Sequence, residues 1–388
     1  MKTLIIGASG QMGALAMRDL VEFYDAEIVA ADLNLERVRK VVESTKSKKS
    51  EAIKLDVTDA QALKKALKDV DTVLNCAWYE LNMKIMPSAI EAGVHYADLG
   101  GLYFETLKQL KLDKQARDAG VTCILGIGSS PGITNLCGLA GARKLDKVES
   151  INIYCTWGTR DNIDDAAFPA YSIRTVMDEL TQEPVIVENG KHKPVPPMSG
   201  EVEVVFPEPA GKVIAGYIKH SETATMAEHI GKGTKNVSFR IGFPPNDIRT
   251  FKTLVQLGFG GTKSISGVSP KDFITTMYLN AVASGRESEE MIDEYDYFRV
   301  DTIGTKDGMP ARVTHYIRTW NDRERMISSG MDTATPPSIA ANWLATGKIK
   351  KRGVLPPEAC IEPEPFFTEL GKRKILVDEE LQFSSKFY

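Results

Sequence analysis

At 388 residues, 43% of them hydrophobic and 26% charged, the chain is long enough for two or three domains of ordinary globular composition. Its formal net charge of -4 argues against nucleic acid or an anionic membrane as partner and leaves a small molecule as the expected one. Five scattered cysteines without a C-x-x-C pair and five histidines without ligand spacing imply neither a disulfide framework nor a metal site. A reducing compartment, no signal segment before Gly7 and no long apolar run make the cytoplasm the expected location.

Short β-branched runs alternate with amphipathic segments from the first residues. Strands are predicted at Thr3–Ile6, Glu27–Ala31, Ala52–Leu55, Asp71–Leu74, His95–Leu99 and Val121–Leu125. Helices are predicted between them at Met12–Tyr24, Leu35–Thr45, Ala60–Lys68, Lys84–Ala92 and Tyr103–Ala119. That alternation implies right-handed βαβ units and a doubly wound, Rossmann-type parallel sheet. After Pro131-Gly132 the pattern changes, with looser strands at Ile151–Tyr154, Val185–Val187, Glu201–Val205, Val213–Ile214 and Val237–Ile241. Phe298–Thr302 and Arg312–Trp320 bracket Thr305-Lys-Asp-Gly308, a hairpin signal because Asp-Gly supplies positive φ. Pro336-Pro337 is expected to open a helix running to Thr346, and the Pro- and Glu-rich tail from Arg352 to pack back on the first domain. The expected organisation is α/β: residues 1–133 the dinucleotide domain, 134–330 an inserted α+β substrate and dimerisation domain, and 331–388 a segment returning to the first.

Gly7-Ala-Ser9-Gly10-Gln11-Met12-Gly13 follows the first strand and opens the first helix, where glycines let the backbone approach a pyrophosphate at a helix N-terminus. Asp32 ends the second strand, where an acid bonds the adenosine ribose and repels a 2′-phosphate; NAD is therefore favoured, with Arg37 and Arg39 keeping NADP open. The other reading of Asp32 is a cap for the next helix. Asp56 and Val57 end the third strand beside the adenine, and Asn75, Cys76 and Ala77 end the fourth beside the nicotinamide ribose. No tyrosine begins a Tyr-x-x-x-Lys pair, which sets aside the short-chain dehydrogenases.

The glycine loop with Asp32, Asn75-Cys-Ala-Trp-Tyr79, His95-Tyr-Ala-Asp98-Leu-Gly-Gly101, Gly128-Ser-Ser-Pro-Gly132-Ile-Thr-Asn135, His220-Ser-Glu-Thr223-Ala-Thr225 and Arg352-Gly-Val-Leu-Pro-Pro-Glu358 occur in one order along the chain. Together they resemble the saccharopine dehydrogenase family, and within it the lysine 6-dehydrogenases most. The resemblance implies a first domain interrupted by a second that supplies substrate contacts and a dimer surface, giving a homodimer. It also implies oxidation of an amine beside the nicotinamide, in this case the side-chain amine of L-lysine.

Amine oxidation by hydride transfer needs an unprotonated amine and water for the imine, hence a positioned acid-base group. Asp98 at the end of the fifth strand is the first candidate, the alternative being an aspartate that fixes the Gly100-Gly101 loop. Tyr79 orients substrate or serves in packing. Gly128 and Asn135 at the domain crossover face the nicotinamide amide or form a plain hinge. For the substrate carboxylate a bidentate arginine is needed, with Arg240 and Arg174 as candidates or as surface residues. His220, Glu222, Thr223 and Thr225 form a dense polar cluster expected to meet substrate. The charged stretch Thr159-Arg-Asp-Asn-Ile-Asp-Asp165 departs from the lysine dehydrogenases and admits another amine substrate. Two alternatives stand beside lysine deamination: a reductase forming secondary amines of saccharopine or carboxynorspermidine type, and a non-catalytic NAD(P)-sensing module. A second arginine facing the pocket would favour the reductase.

Overall fold

The computed structural model describes residues 1–160, 172–285 and 293–384. The chain runs β1 (Lys2–Ile6), α1 (Gln11–Tyr24), β2 (Glu27–Asp32), α2 (Leu35–Thr45), β3 (Ser50–Lys54), α3 (Ala60–Ala66), β4 (Thr72–Asn75), α4 (Asn82–Glu91), β5 (His95–Asp98), α5 (Leu102–Leu110), α6 (Asp113–Asp118) and β6 (Thr122–Ile124). Beyond a crossover lie α7 (Ile133–Lys144), β7 (Lys147–Thr159), α8 (Ile173–Thr181), β8 (Val185–Glu188), β9 (Lys191–Pro194), β10 (Val202–Val205), β11 (Lys212–Tyr217), α9 (Glu222–Ile230) and β12 (Asn236–Gly242). Then come α10 (Pro245–Gln256), α11 (Pro270–Gly285), β13 (Glu294–Lys306), β14 (Met309–Trp320), α12 (Met331–Ala345), β15 (Gly353–Leu355), α13 (Pro357–Cys360), α14 (Pro363–Gly371) and β16 (Leu376–Phe383).

The first sheet is all parallel, in the order β15-β6-β5-β4-β1-β2-β3. Its central strands β1, β2 and β4 are apolar on both faces and alternate between two cores, as parallel strands under two helix layers must. Ile5, Ile28, Ala30 and Leu74 join Met17 and Leu20 of α1 and Ile339 of α12. Leu4, Ile6, Val29 and Val73 join Leu63 of α3 and Ile85 and Met86 of α4. The strand order reverses between β1 and β4, and there, at the carboxyl ends, a doubly wound sheet opens its ligand crevice.

The second sheet is mixed, with nine strands. β12 lies parallel to β7, which pairs antiparallel with β13, and β13 with β14. The hairpin closes on Asp307 and Gly308, both at positive φ, as Asp-Gly requires.

Several expectations need amendment. The helix predicted over Tyr103–Ala119 breaks into α5 and α6, and β3 begins at Ser50. α12 starts at Met331 and carries Pro336 and Pro337 inside it; the first turn is held by Asp332 N–H donating to Ser329 O and Ala334 N–H to Gly330 O. The tail divides: β15 extends the first sheet beside β6, but β16 pairs with β14 of the second. Arg373, 2% exposed, clamps α1 through a bidentate contact to Asp19, with Nε–Oδ1 2.7 Å and Nη2–Oδ2 3.1 Å. All five cysteines are free thiols, and among the described residues no helix is long and apolar enough to cross a membrane.

Candidate active site

The glycine loop is built for a phosphate. Gly7 lies at φ +80, and a Cβ there would sit 2.8 Å from Ala77 N; one on Gly13 would sit 2.2 Å from Gly7 O. Only glycine allows this close approach of loop, strand end and helix. At the end of β2, Asp32 accepts from the Ser9 hydroxyl at 2.8 Å and the Ser9 amide at 3.2 Å, joining the two groups expected on the dinucleotide. The helix cap is Asn34, whose Oδ1 accepts from Arg37 N at 3.1 Å, so Asp32 does not cap α2. Gln11 and Met12 lie beneath the strand connection before α12: Gln11 Nε2 donates to Ser328 Oγ at 3.2 Å, and Gly330 packs on Met12. These residues fit an extended dinucleotide. Asp56, exposed, accepts from the amide and hydroxyl of Thr58 and thereby forms a turn beside Val57. Cys76 follows β4, its thiol pushed up to about 12 by burial and by Asp98.

Asp98 proves to be enclosed. At 1% exposure its carboxylate accepts from Gln109 Nε2 at 2.7 Å, Tyr96 OH at 3.0 Å, Gly100 N at 2.9 Å and Gly126 N at 2.8 Å. Burial still holds its carboxyl above the ordinary range. Asn75 continues this network to Asn82 and Tyr96 and holds Ala77 N. With its oxygens occupied by these four donors, Asp98 fixes the strand-end loops, the arrangement that the second of its two sequence readings describes. The loops it fixes meet around Pro131, where a Cβ on Gly126 or Gly100 would strike the ring at 2.4 or 2.8 Å.

Asn135 is likewise corrected. It is 1% exposed, its Oδ1 accepts from Gly132 N at 2.9 Å, and its Nδ2 donates to Glu358 Oε2 at 2.8 Å. It anchors the tail motif to the crossover and does not face the nicotinamide position. Gly128 donates to Pro131 O and accepts from Ile133 N within the same turn, so its backbone is spent there. The crossover instead offers side chains. Ser129 Oγ lies 2.8 Å from Thr333 Oγ1, and Ser130 Oγ donates to Glu222 Oε1.

Arg240 is corrected by strand parity. On β12, Phe239 stacks on His220 at 3.9 Å between ring centroids, so the next residue points to the other face. There Arg240 donates to Gly200 O, Ser238 Oγ and Tyr217 OH, all within the second domain. Arg174 does stand at the cleft: its guanidinium lies 3.6 Å over the Trp78 ring and pairs with Asp272, while its buried Nε makes no hydrogen bond.

Two polar clusters join the domains. Tyr79 OH donates to Asp178 Oδ2 at 2.9 Å, and Asp178 is held by Lys271 at 2.7 Å and Gln182 at 2.9 Å; Lys219 extends the set to Gln182 at 2.8 Å. Burial, and then Asp178, push the Tyr79 phenol well up. In the second cluster Glu222, fully buried, accepts from His220, Ser130 and Thr134. Burial alone would lower the His220 imidazole, but Glu222 outweighs it and holds it above its ordinary value. Burial would raise the Glu222 carboxyl, and His220 and Ser130 hold it below. Thr223 bonds back to His220 O at 3.2 Å and closes this turn. Asp178, Lys271, Lys219 and Thr333 were missed in the sequence; they come from distant elements with no shared spacing. Of the charged stretch 159–165, residues 161–165 lie outside the described residues.

A Rossmann sheet with a glycine cradle, opening onto a cleft roofed by an inserted mixed sheet, defines a dinucleotide-dependent oxidoreductase of two-domain type. The family models for the saccharopine dehydrogenase NADP binding domain and the saccharopine dehydrogenase C-terminal domain match residues 3–124 and 128–376. The chain belongs to the saccharopine dehydrogenase family, and its cofactor is NAD(P). It is 23% identical to the carboxyaminopropylagmatine dehydrogenase of Synechocystis sp., over 96% of this chain and 95% of the relative. It is 26% identical to the carboxynorspermidine synthase of Vibrio alginolyticus, over 94% of each. The solved apo saccharopine dehydrogenase (L-Glu forming) of Saccharomyces cerevisiae superposes with a TM-score of 0.76 at 18% identity, covering 98% of this chain and 99% of that one, a likeness of fold.

Proposed function

We propose that the protein catalyses NAD(P)-linked oxidoreduction at the CH–NH bond of a secondary amine carrying one α-carboxylate, the reductase alternative of the sequence reading. The observation that carries this is the end-to-end similarity to two relatives named as a carboxyaminopropylagmatine dehydrogenase and a carboxynorspermidine synthase. Of the two candidate arginines, Arg174 alone stands at the cleft, with an unused Nε donor. The second cleft arginine that would favour the reductase is not supplied by these two candidates, so the choice of substrate rests on the relatives and not on a count of arginines. The same count is compatible with L-lysine, so deamination of lysine stays as the second reading.

Bound in the glycine cradle, the dinucleotide would exchange hydride at its nicotinamide carbon. Gly7, Ser9 and Gly10 would take its pyrophosphate, Asp32 the adenosine ribose, and Ala77 the nicotinamide side. Arg174 would hold the carboxylate against Trp78. Tyr79, fixed by Asp178, would orient the reacting nitrogen from the first domain. His220 and Glu222 would supply a proton-exchanging pair beside Ser130 from the second. Asp32 supports NAD over NADP, whereas the match to a family of NADP binding domains supports NADP. The expected homodimer belongs to the same proposal and is read directly by light scattering. The reaction is tested by following reduced nicotinamide with diamines and amino-acid semialdehydes in one direction, and with L-lysine and carboxyalkylated amines in the other.

A further inference from the structure

Two buried donors without acceptors meet at the mouth of the cleft. Trp78 follows β4 in the first domain, and Arg174 stands on the first turn of α8 in the second. The guanidinium carbon lies 3.6 Å from the centre of the Trp78 ring, so the arginine uses the indole face as a platform. Stacking leaves the in-plane N–H groups of both side chains unspent. Arg174 Nε and Trp78 Nε1 are each shut off from water and make no hydrogen bond among the described residues. A donor buried without an acceptor loses its hydration for nothing, and folded proteins carry few of them. Two on one stacked pair point to an acceptor that arrives with a ligand.

The other end of the guanidinium is committed. Arg174 Nη1 pairs with Asp272 in the first turn of α11. Asp272 is held in its turn: Oδ2 accepts from Ser269 Oγ at 2.6 Å, and its amide donates to the same oxygen at 3.1 Å. Lys271, the residue before, binds Asp178 at 2.7 Å with both side chains almost wholly buried, which pins this turn of α11 against α8. Asp272 thus fixes the Nη1 end and leaves the Nε side for a second partner. The stacking distance puts the two unspent nitrogens within about 6 Å of each other, a gap that a carboxylate spans when each oxygen accepts at about 2.8 Å. An amide carbonyl, with one acceptor oxygen, answers only one of them. The place also suits: Trp78 meets Tyr79 edge-on at 5.9 Å between ring centres, beside the group proposed to orient the reacting nitrogen. We infer that Trp78 is a carboxylate-binding residue, its indole N–H and Arg174 Nε each taking one oxygen of the substrate carboxylate, with Asp272 as the residue that positions the arginine. The identity of the ligand group rests on the CH–NH oxidoreductase reading; the pair of unspent donors does not.

Trp78→Phe keeps an aromatic platform under the guanidinium and removes only the N–H. The test is calorimetry on the NADP-loaded protein with L-2-aminobutyrate and with its primary amide, run beside turnover assays. Wild type is expected to bind the acid tighter than the amide. Trp78→Phe should weaken the acid ~10-fold, the usual worth of one hydrogen bond to a charged group, with NADP affinity unchanged. Asp272→Asn should weaken it less, about threefold, since its ion pair is partly exposed, and should raise the KM of a carboxylated substrate more than it lowers kcat. Absent or equal binding of acid and amide by wild type, which needs no variant to fold, would overturn the receptor. So would acid binding in folded Trp78→Phe as tight as in wild type, the indole then being a platform only. Tighter acid binding by Asp272→Asn would make Asp272 a competitor for the arginine and overturn its positioning role. Acid preference without turnover on any amine would leave the receptor standing and defeat the reaction; turnover with a KM that Trp78→Phe does not move would do the reverse.

Discussion

Tyr79 and Asp178 stand 99 residues apart and meet at 2.9 Å, a first-domain phenol donating to a second-domain carboxylate. The bond ties the loop after β4 to α8, so the mouth of the cleft is set by a contact between domains. Tyr79→Phe should fold normally and raise the KM of the amine more than that of the dinucleotide. Asp178→Ala should instead cost stability, about 3–5 kcal/mol by urea unfolding, because it strands Lys271, which is 3% exposed, without its counter-charge. Equal stability of Asp178→Ala and wild type would show that the pair contributes nothing.

Asp32 touches Ser9 and caps no helix, and on the proposed binding mode it would select the cofactor. Asp32→Ser should improve the ratio of NADP to NAD utilisation by about tenfold, by removing a carboxylate from the place of a 2′-phosphate. Steady-state kinetics with both cofactors decide it; an unchanged ratio would place the ribose elsewhere.

The enclosure of Asp98 makes a prediction opposite to that of a catalytic base. Asp98→Asn turns one acceptor into a donor facing Gln109, Tyr96 and two backbone amides, at a cost of about 1–3 kcal/mol. The melting temperature should fall, with activity lost in proportion to folded protein. A stable variant with turnover reduced ~10²-fold would return Asp98 to the acid-base role.

The His220–Glu222 pair carries a pH dependence whose sign follows from both shifts. Raised in the fold, His220 stabilises fully below its unfolded value, about 6.5, and loses this as pH rises through its folded value. Lowered in the fold, Glu222 stabilises above about 4.5 and loses this as pH falls. The stability difference between wild type and His220→Gln should therefore be greatest between these values and shrink towards alkaline pH. A difference that grows with pH would contradict the ion pair.

Much of this was legible in the sequence where the signal is local. The glycine loop, the alternation of β1 to β6 with helices, and the Asp307-Gly308 hairpin are set by residues within a few positions of one another. What could not be read needs register or distance. Arg240 and Phe239 are neighbours in sequence, and only the β7–β12 pairing tells which of them meets the cleft. Asn135 looks like a nicotinamide contact until the tail brings Glu358 to its amide. Pro336 and Pro337 suggest a helix start, since proline breaks interior hydrogen bonds, yet the turn before them is held by contacts to 329 and 330.

The central claim, hydride transfer at a CH–NH bond, is tested most directly by the absorbance of reduced nicotinamide in the presence of diamines and amino-acid semialdehydes. Oxidation of NADH or NADPH that needs both the amine and the aldehyde, with the secondary amine found by mass spectrometry, is the result expected. No cofactor turnover with any amine in either direction, from a folded protein that binds the dinucleotide, would contradict it.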